Sequence, residues 1–364
     1  MYPALAVLQA LERMHASNQP DALEVMWVGG ESGMEKELVA RERIPFRGIP
    51  AAGVHGVGMK ALPGNIRKIV RGILAAREII RDYQPDRMFF TGGYVSFPVA
   101  LAGLKIPKLV FIPDIEPGMA LKALLRFTRH VAVIVDETKR YLPAGKDVTV
   151  TGYPTRLSLA GLSREQALAK FGLTGDLPVL LVMGGSKGAR SINRALSSVL
   201  ADLLTEMQII HISGKLDWEE VSAKAKQLPE NLSKRYRVFD YLHEEMSAAL
   251  GAADLVLSRG GASVLGEYPL FGLPAIIVPY PYAWRYQKVN AGYLVGKGAA
   301  VLLKDEELPM KIKEVVLSLM RDSEKRKRMA DVMNRLKMPD AAREIAGIIT
   351  RMAAGKGKKD GQYG

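Results

Sequence analysis

Residues 179–193, VLLVMGGSKGARSIN, set the architecture of the chain. Val179–Val182 is a short apolar run of the kind that forms a buried strand, and a helical pattern starts near Ser191 and Asn193. Between them lies Met183-Gly184-Gly185-Ser186-Lys187-Gly188-Ala189-Arg190. Glycines let successive backbone N–H groups converge, and a helix start adds partial positive charge, so the turn suits an anion. Its spacing matches neither the Walker phosphate loop nor the dinucleotide fingerprint. A tight strand-to-helix turn that needs glycine for sterics alone fits the same residues.

Outward from this stretch, strand-like runs alternate with helical ones. Downstream they fall at 208–212, 236–239, 255–257, 275–278 and 300–303; upstream at 23–28, 87–90, 108–112, 131–135 and 148–151. Such alternation predicts α/β structure with parallel sheets covered by helices. A connector near Gly152–Arg156 separates the series, and after it "SLAGLSREQALAKFGL" reads as a helix with Ser163 as cap and Gly172 as stop. Two Rossmann-like domains are expected, 1–155 and 156–339. A helix over 340–355 packs back on the first, and 356–364 forms a disordered tail.

The 364 residues hold 48% hydrophobic side chains, enough for two cores. Lys plus Arg exceed Asp plus Glu by 51 to 38, which favours anionic partners such as phosphorylated substrates or acidic lipid. Cysteine is absent, excluding disulfides and cysteine-ligated metal. The apolar runs are far shorter than the ~20 residues of a spanning helix, and the start lacks the basic segment of a signal peptide. A cytoplasmic protein, soluble or peripheral, is expected.

A second glycine turn, Ser258-Arg259-Gly260-Gly261-Ala262-Ser263, follows another strand, with Glu267 on the helix beyond. Ligands of parallel sheets bind at strand carboxyl ends, and both turns lie at such ends. Glu267 is suited to a ribose diol or is a solvated helix residue. Gln287 and Asn290, at i, i+3 in "YQKVNA", are placed for sugar hydroxyls or form a polar outer face. No Asp-x-Asp follows a strand and the five His are scattered, so no metal site is expected.

The ordered set "YPALAV", "TGGYVSFP", "GYPTR", "GGSKGAR", "DLVLSRGGASVLGE", "FGLPAIIVPYP" and "YQKVNA" resembles the MurG family. These are peripheral glycosyltransferases that add N-acetylglucosamine to a lipid-linked muramyl-peptide precursor. The resemblance implies a GT-B fold, two Rossmann-like domains facing across a cleft. It implies UDP-N-acetylglucosamine as donor, a polyprenyl-diphosphate acceptor, no metal and no cofactor. By position, Gly185, Ser186, Gly188 and Arg156 would meet the donor diphosphate. Met246 and the backbone of His243 would flank the uracil, and Glu267 the ribose; Gln287 and Asn290 would hold the sugar. Arg259, Gly261 and Ala262 would complete the donor site. Gly92, Gly93, Tyr94 and Ser96 match the loop for the acceptor diphosphate. Inverting displacement follows, needing a general base.

Three departures stand out. In that family a strand and a Gly-Gly-Thr-Gly-Gly-His loop precede the equivalent of "YPALAV", and Met1 falls just after that His. The expectation is a true start upstream; otherwise the chain lacks that strand, its loop and its candidate base. Phe111-Ile112-Pro113-Asp114 replaces a His-Glu-Gln-Asn run, leaving Asp114 as base or as turn cap, and Tyr286 replaces the first Gln of a sugar-binding pair.

The stretch "KALPGNIRKIVRGILAAREIIRDY" combines an apolar stripe (Ile66, Ile69, Val70, Ile73, Leu74) with Lys60, Arg67, Lys68, Arg71, Arg77 and Arg81. This suits an interfacial helix at an anionic membrane, on the cytoplasmic face, or a stripe packed on the sheet. "LKALLRFTRH" is a second candidate. Nucleic acid is not expected as a partner, whereas proteins of wall synthesis are compatible. A UDP-sugar transferase with another acceptor, a non-catalytic UDP-sugar scaffold and an epimerase stay open, the last disfavoured by the transferase-type segments.

Overall fold

Among the described residues every strand pairing is parallel, as helical crossovers between successive strands require. The computed structural model describes residues 1–18, 23–31, 35–52, 62–155, 161–185, 188–282 and 285–354. Lys60, Arg156, Ser186 and the tail expected over 356–364 lie outside them. The chain divides into two compact units, Met1–Arg156 with Asp340–Gly364, and Leu157–Pro339.

In the first unit the strands are β1 (Trp27–Gly30), β2 (Phe46–Ile49), β3 (Met88–Phe90), β4 (Lys108–Ile112), β5 (His130–Val133) and β6 (Asp147–Val150). They form a β1-β2 pair and a β3-β4-β5-β6 sheet, not the single sheet that the alternation suggests. The sequence reading misses β2, whose four residues include exposed Arg47 and Gly48 and so lack a continuous apolar run. All five residues of β4 are buried. Val110 and Ile112 join Phe90, Val131 and Val133 in the core, while Phe111, on the other face, meets Tyr153 edge-on at 6.2 Å. The opening stretch is a helix, Tyr2–Asn18, which packs on the helix Ala341–Ala354.

The basic stretch forms the helix Leu62–Tyr83. Its apolar residues divide between two faces. Ala76 is buried in the core with Ile79 and Ile80 against it, whereas Ile66, Val70 and Leu74 are each about half exposed and follow one another at i, i+4, i+8. Arg67, Lys68 and Arg71 beside them are exposed. The second lipid-facing candidate is corrected: Leu121, Leu124 and Leu125 of "LKALLRFTRH" are core residues, because that short helix packs inward.

The second unit holds β7 (Val179–Met183), β8 (Gln208–Ile212), β9 (Tyr236–Phe239), β10 (Leu255–Ser258), β11 (Ala275–Ile277) and β12 (Ala300–Leu302). Their order is β12-β11-β10-β7-β8-β9. The chain runs outward from β7 to β9, then resumes on β7's other side with β10. The β7/β10 junction is therefore a topological switch point, where ligands of such sheets bind. Ser163 caps the helix Arg164–Lys170 in a reciprocal capping box with Gln166, and Gly172 ends that segment at φ +57°. Asp254 ties this helix to the sheet, accepting from Arg164 Nη2 at 2.6 Å and from the Val179 N–H at 2.8 Å.

Candidate active site

Met183 and Ser258 are register partners on adjacent strands, so the two glycine turns leave the sheet side by side at the switch point. In the first turn Gly185 and Gly188 have φ of +85° and +81°, a region in which side chains are strained. A Cβ on Gly188 would also collide with the Ser213 carbonyl oxygen. Packing thus requires glycine here whether or not an anion binds. The helix Arg190–Leu204 follows directly, starting one residue before Ser191, with its unpaired N–H groups at the turn.

Behind the first turn lies a buried polar chain that the sequence reading misses. Asn193 Nδ2 donates to the Ser213 carbonyl at 2.8 Å and to Asp217 Oδ2 at 2.9 Å. Its Oδ1 lies 2.9 Å from His211 Nε2, and His211 Nδ1 lies 2.7 Å from the Tyr236 hydroxyl. Arg190 Nε donates to Asp217 Oδ1 at 2.7 Å. All but Arg190 are buried. Burial pushes His211 down to about 3, outweighing the opposite pull of Asp217, so the ring is neutral; burial also raises the Tyr236 hydroxyl. The one visible hint was a histidine inside the apolar strand Gln208–Ile212.

In the second turn the Arg259 guanidinium turns inward. Its Nη1 donates to Asp305 Oδ1 at 2.5 Å and its Nη2 to Ser191 Oγ at 2.7 Å, and Ser191 Oγ donates to the same Asp305 oxygen at 2.7 Å. Arg259 also stacks on the Tyr280 ring, 5.2 Å from its centroid. Gly260 passes so close to the helix Tyr286–Lys297 that a Cβ would lie 2.6 Å from the Gln287 carbonyl oxygen. Gly261 faces open space, and Ala262 begins the 3-10 turn Ala262–Leu265. Asn290, fully buried, donates to the Gly260 carbonyl at 3.2 Å, and Gln287 Oε1 accepts from the Tyr280 N–H at 2.8 Å. Asn290 therefore braces the second glycine turn and is not on an outer face, while Gln287 braces the segment that follows β11. Glu267 opens the helix Glu267–Phe271 half-buried. Beyond β9, His243 is exposed with its ring 4.6 Å from that of Tyr241, and Met246 begins the helix Met246–Ala252.

In the first unit, Gly92 and Gly93 follow β3 at φ of +106° and +92°. Ser96 is buried and closes this turn by donating to the Gly92 carbonyl at 2.6 Å, while Tyr94 is exposed. Asp114 lies half-buried past the end of neighbouring β4. Buried Glu116 nearby, also missed from sequence, accepts from Lys122 at 3.2 Å.

Two family models match the chain: the glycosyltransferase family 28 N-terminal domain over residues 1–133 and the family 28 C-terminal domain over 179–345. A protein of Roseiflexus sp. (strain RS-1), named UDP-N-acetylglucosamine--N-acetylmuramyl-(pentapeptide) pyrophosphoryl-undecaprenol N-acetylglucosamine transferase, is 39% identical over 96% of this chain and 91% of its own. The crystal structure of Acinetobacter baumannii MurG superposes with a TM-score of 0.75 at 26% identity, covering 96% of this chain and 95% of that one. UDP-GlcNAc 2-epimerase from Neisseria meningitidis, crystallised with UDP-GlcNAc, has a TM-score of 0.66 at 13% identity over 96% and 97%, a likeness of fold alone.

Burial of neutral His211 has a pH consequence. The unfolded chain takes up a proton on this ring below about pH 6.5 that the folded protein refuses down to about pH 3. Between those values this group therefore makes stability fall as pH falls, by roughly 1 kcal/mol per pH unit. Denaturant unfolding across this window is expected to show a shallower pH dependence for His211→Gln than for the wild type. Equal slopes would contradict the assignment.

Proposed function

Because the chain belongs to the MurG family of glycosyltransferases, family 28, we propose that it transfers N-acetylglucosamine from UDP-N-acetylglucosamine to a muramyl-pentapeptide carried on undecaprenyl diphosphate. The observation that carries this reading is the pair of glycine turns at adjacent strand ends of the β7/β10 switch point. Two such turns and a helix start concentrate backbone N–H dipoles where a nucleotide diphosphate can lie.

The acceptor hydroxyl attacks the anomeric carbon from the face opposite the diphosphate. The new C–O bond forms as the bond to the diphosphate oxygen breaks, and UDP leaves with the bonding electrons, so the configuration inverts. Charge grows on the leaving diphosphate, and fixed N–H groups stabilise that charge without reorganising. We assign the diphosphate to the backbone of Gly185, Ser186 and Gly188 and to the Arg156 side chain, the ribose to Glu267, and the uracil to Met246 and the His243 backbone. The second turn, held by Arg259, shapes the opposite wall through Gly261 and Ala262, and Gln287 and Asn290 fix the donor sugar's side. The Gly92–Ser96 turn receives the acceptor diphosphate, and Asp114 takes the hydroxyl proton. The reaction proposed here uses neither metal nor cofactor: fixed N–H groups and the Arg156 cation meet the charge that develops on the diphosphate.

The lipid acceptor must be met at a surface. Among the described residues no helix is long and apolar enough to cross a membrane. The helix Leu62–Tyr83 instead offers Ile66, Val70 and Leu74 framed by Arg67, Lys68 and Arg71, an interfacial anchor for anionic lipid on the cytoplasmic face.

Steady-state assays test the activity. UDP release from UDP-N-acetylglucosamine is expected only with the lipid-linked acceptor and is expected to persist in EDTA. Glu267→Ala should weaken donor binding at least tenfold, as loss of a hydrogen bond to a charged group implies. Asp114→Asn should lower kcat by about 100-fold or more while leaving donor affinity unchanged. Donor binding without acceptor-dependent UDP release would instead mark a nucleotide-sugar-binding scaffold. For the membrane, wild-type protein should sediment with vesicles containing phosphatidylglycerol and be partly released by salt. Replacing Ile66, Val70 and Leu74 together by Ser should cut that binding at least tenfold, and equal binding would remove the helix from the interface.

A further inference from the structure

Hydrogen-bond direction along the buried chain behind the first glycine turn is fully determined. Asn193 Nδ2 faces two acceptors, the Ser213 carbonyl and the Asp217 carboxylate. The reversed amide would set an oxygen against both, so the nitrogen must lie there and Oδ1 must face His211. His211 Nε2 therefore carries the proton and donates to Asn193 Oδ1. Its Nδ1 is left as an acceptor for the Tyr236 hydroxyl. Donation thus runs one way, Tyr236 to His211 to Asn193 to Asp217, and ends on a carboxylate that is 5% exposed.

That carboxylate's other oxygen accepts from Arg190 Nε, whose side chain is 59% exposed. A buried carboxylate is stable as an anion only when its acceptor sites are filled. Here they are filled from two sides, by Asn193 from within and by Arg190 from the surface. Arg190 and Asn193 also stand on the first turn of the helix that leaves the glycine turn, and Ser213, which receives Asn193, is the residue against which Gly188 packs. One set of bonds therefore fixes the place of Gly188, the helix start and the direction of a cation at its edge.

We propose that Tyr236, His211, Asn193 and Asp217 form a positioning relay for the donor's diphosphate, delivering Arg190 as a further diphosphate-binding residue. The proposal rests on the donor assignment made above. Arg190 touches the leaving group; the four-residue chain behind it acts only through Arg190. Neutrality of His211 is part of the device. A protonated ring would donate from both nitrogens, reverse the Tyr236 bond and break the one-way order. Rigid support of this kind limits the reorganisation needed as charge develops on the diphosphate.

The test combines a double-mutant cycle with a spectroscopic reading of the ring. Calorimetric titration with UDP-N-acetylglucosamine should give at least a tenfold weaker Kd for Arg190→Ala and for Asn193→Asp, with the acceptor KM unchanged. Asn193→Asp keeps the shape but sets a third oxygen against Asp217 and Ser213. The double variant should bind no more weakly than the weaker single variant, because the relay works through Arg190. Nitrogen-15 NMR of the wild type should show the proton of His211 on Nε2. Multiplying losses, unchanged affinity in Arg190→Ala, or a proton on Nδ1 would each overturn the relay. Arg190→Ala and the wild-type spectrum keep the test decisive if Asn193→Asp does not fold. Failure of the wild type to bind the nucleotide sugar would overturn the donor assignment and the relay with it, whereas wild-type binding with unaffected variants removes the relay alone.

Discussion

Parallel pairing of β7 with β10 is the constraint on which the second unit depends. It sets Met183 beside Ser258, so two turns separated by some seventy residues of sequence depart from one edge of one sheet. Each turn alone is a tight connection that glycine makes sterically feasible. Together at a switch point the two glycine turns and a helix start lie at adjacent strand ends, and a parallel sheet gives its strands' carboxyl ends to the same side.

Holding those turns is a task for buried polar groups rather than for the apolar core. The core beneath them, Leu180, Val182, Ile192, Leu196 and Ile209 among others, fixes where the sheet and helix lie but not the direction of any N–H. Direction comes from two polar braces on the first turn of the helix Arg190–Leu204. One passes through Asn193 to His211 and Asp217, the other through Ser191 to Arg259 and Asp305. In a low-dielectric interior such chains are favourable only when every member is satisfied. This makes them stiff, and stiffness suits a site whose work is to meet growing charge with preset dipoles.

Much of this was legible in the chain itself where the signal was local. The glycine turns, the Ser163 cap with its Gly172 stop and the long basic helix each depend on residues a few positions apart, and each appears at the expected place. What was not legible depends on distant partners. Arg259 reads as a cation available to a ligand until Asp305, 46 residues on, takes its guanidinium. Asn290 reads as an amide open to sugar hydroxyls or to solvent until Gly260 is seen beneath it. His211 carries no local sign of Asn193 and Tyr236. In the first unit the four-residue β2, with two exposed positions, falls below any strand pattern, and the lack of pairing between β1 and β3 is a tertiary fact that strand-by-strand periodicity does not encode.

The most direct measurement of the central claim is a crystal structure of the protein with UDP-N-acetylglucosamine, grown with a divalent cation present. The account predicts diphosphate oxygens accepting from backbone N–H groups of the turns after β7 and β10, with no ion between phosphate and protein. A nucleotide seated elsewhere, or a diphosphate held through the cation, would contradict it.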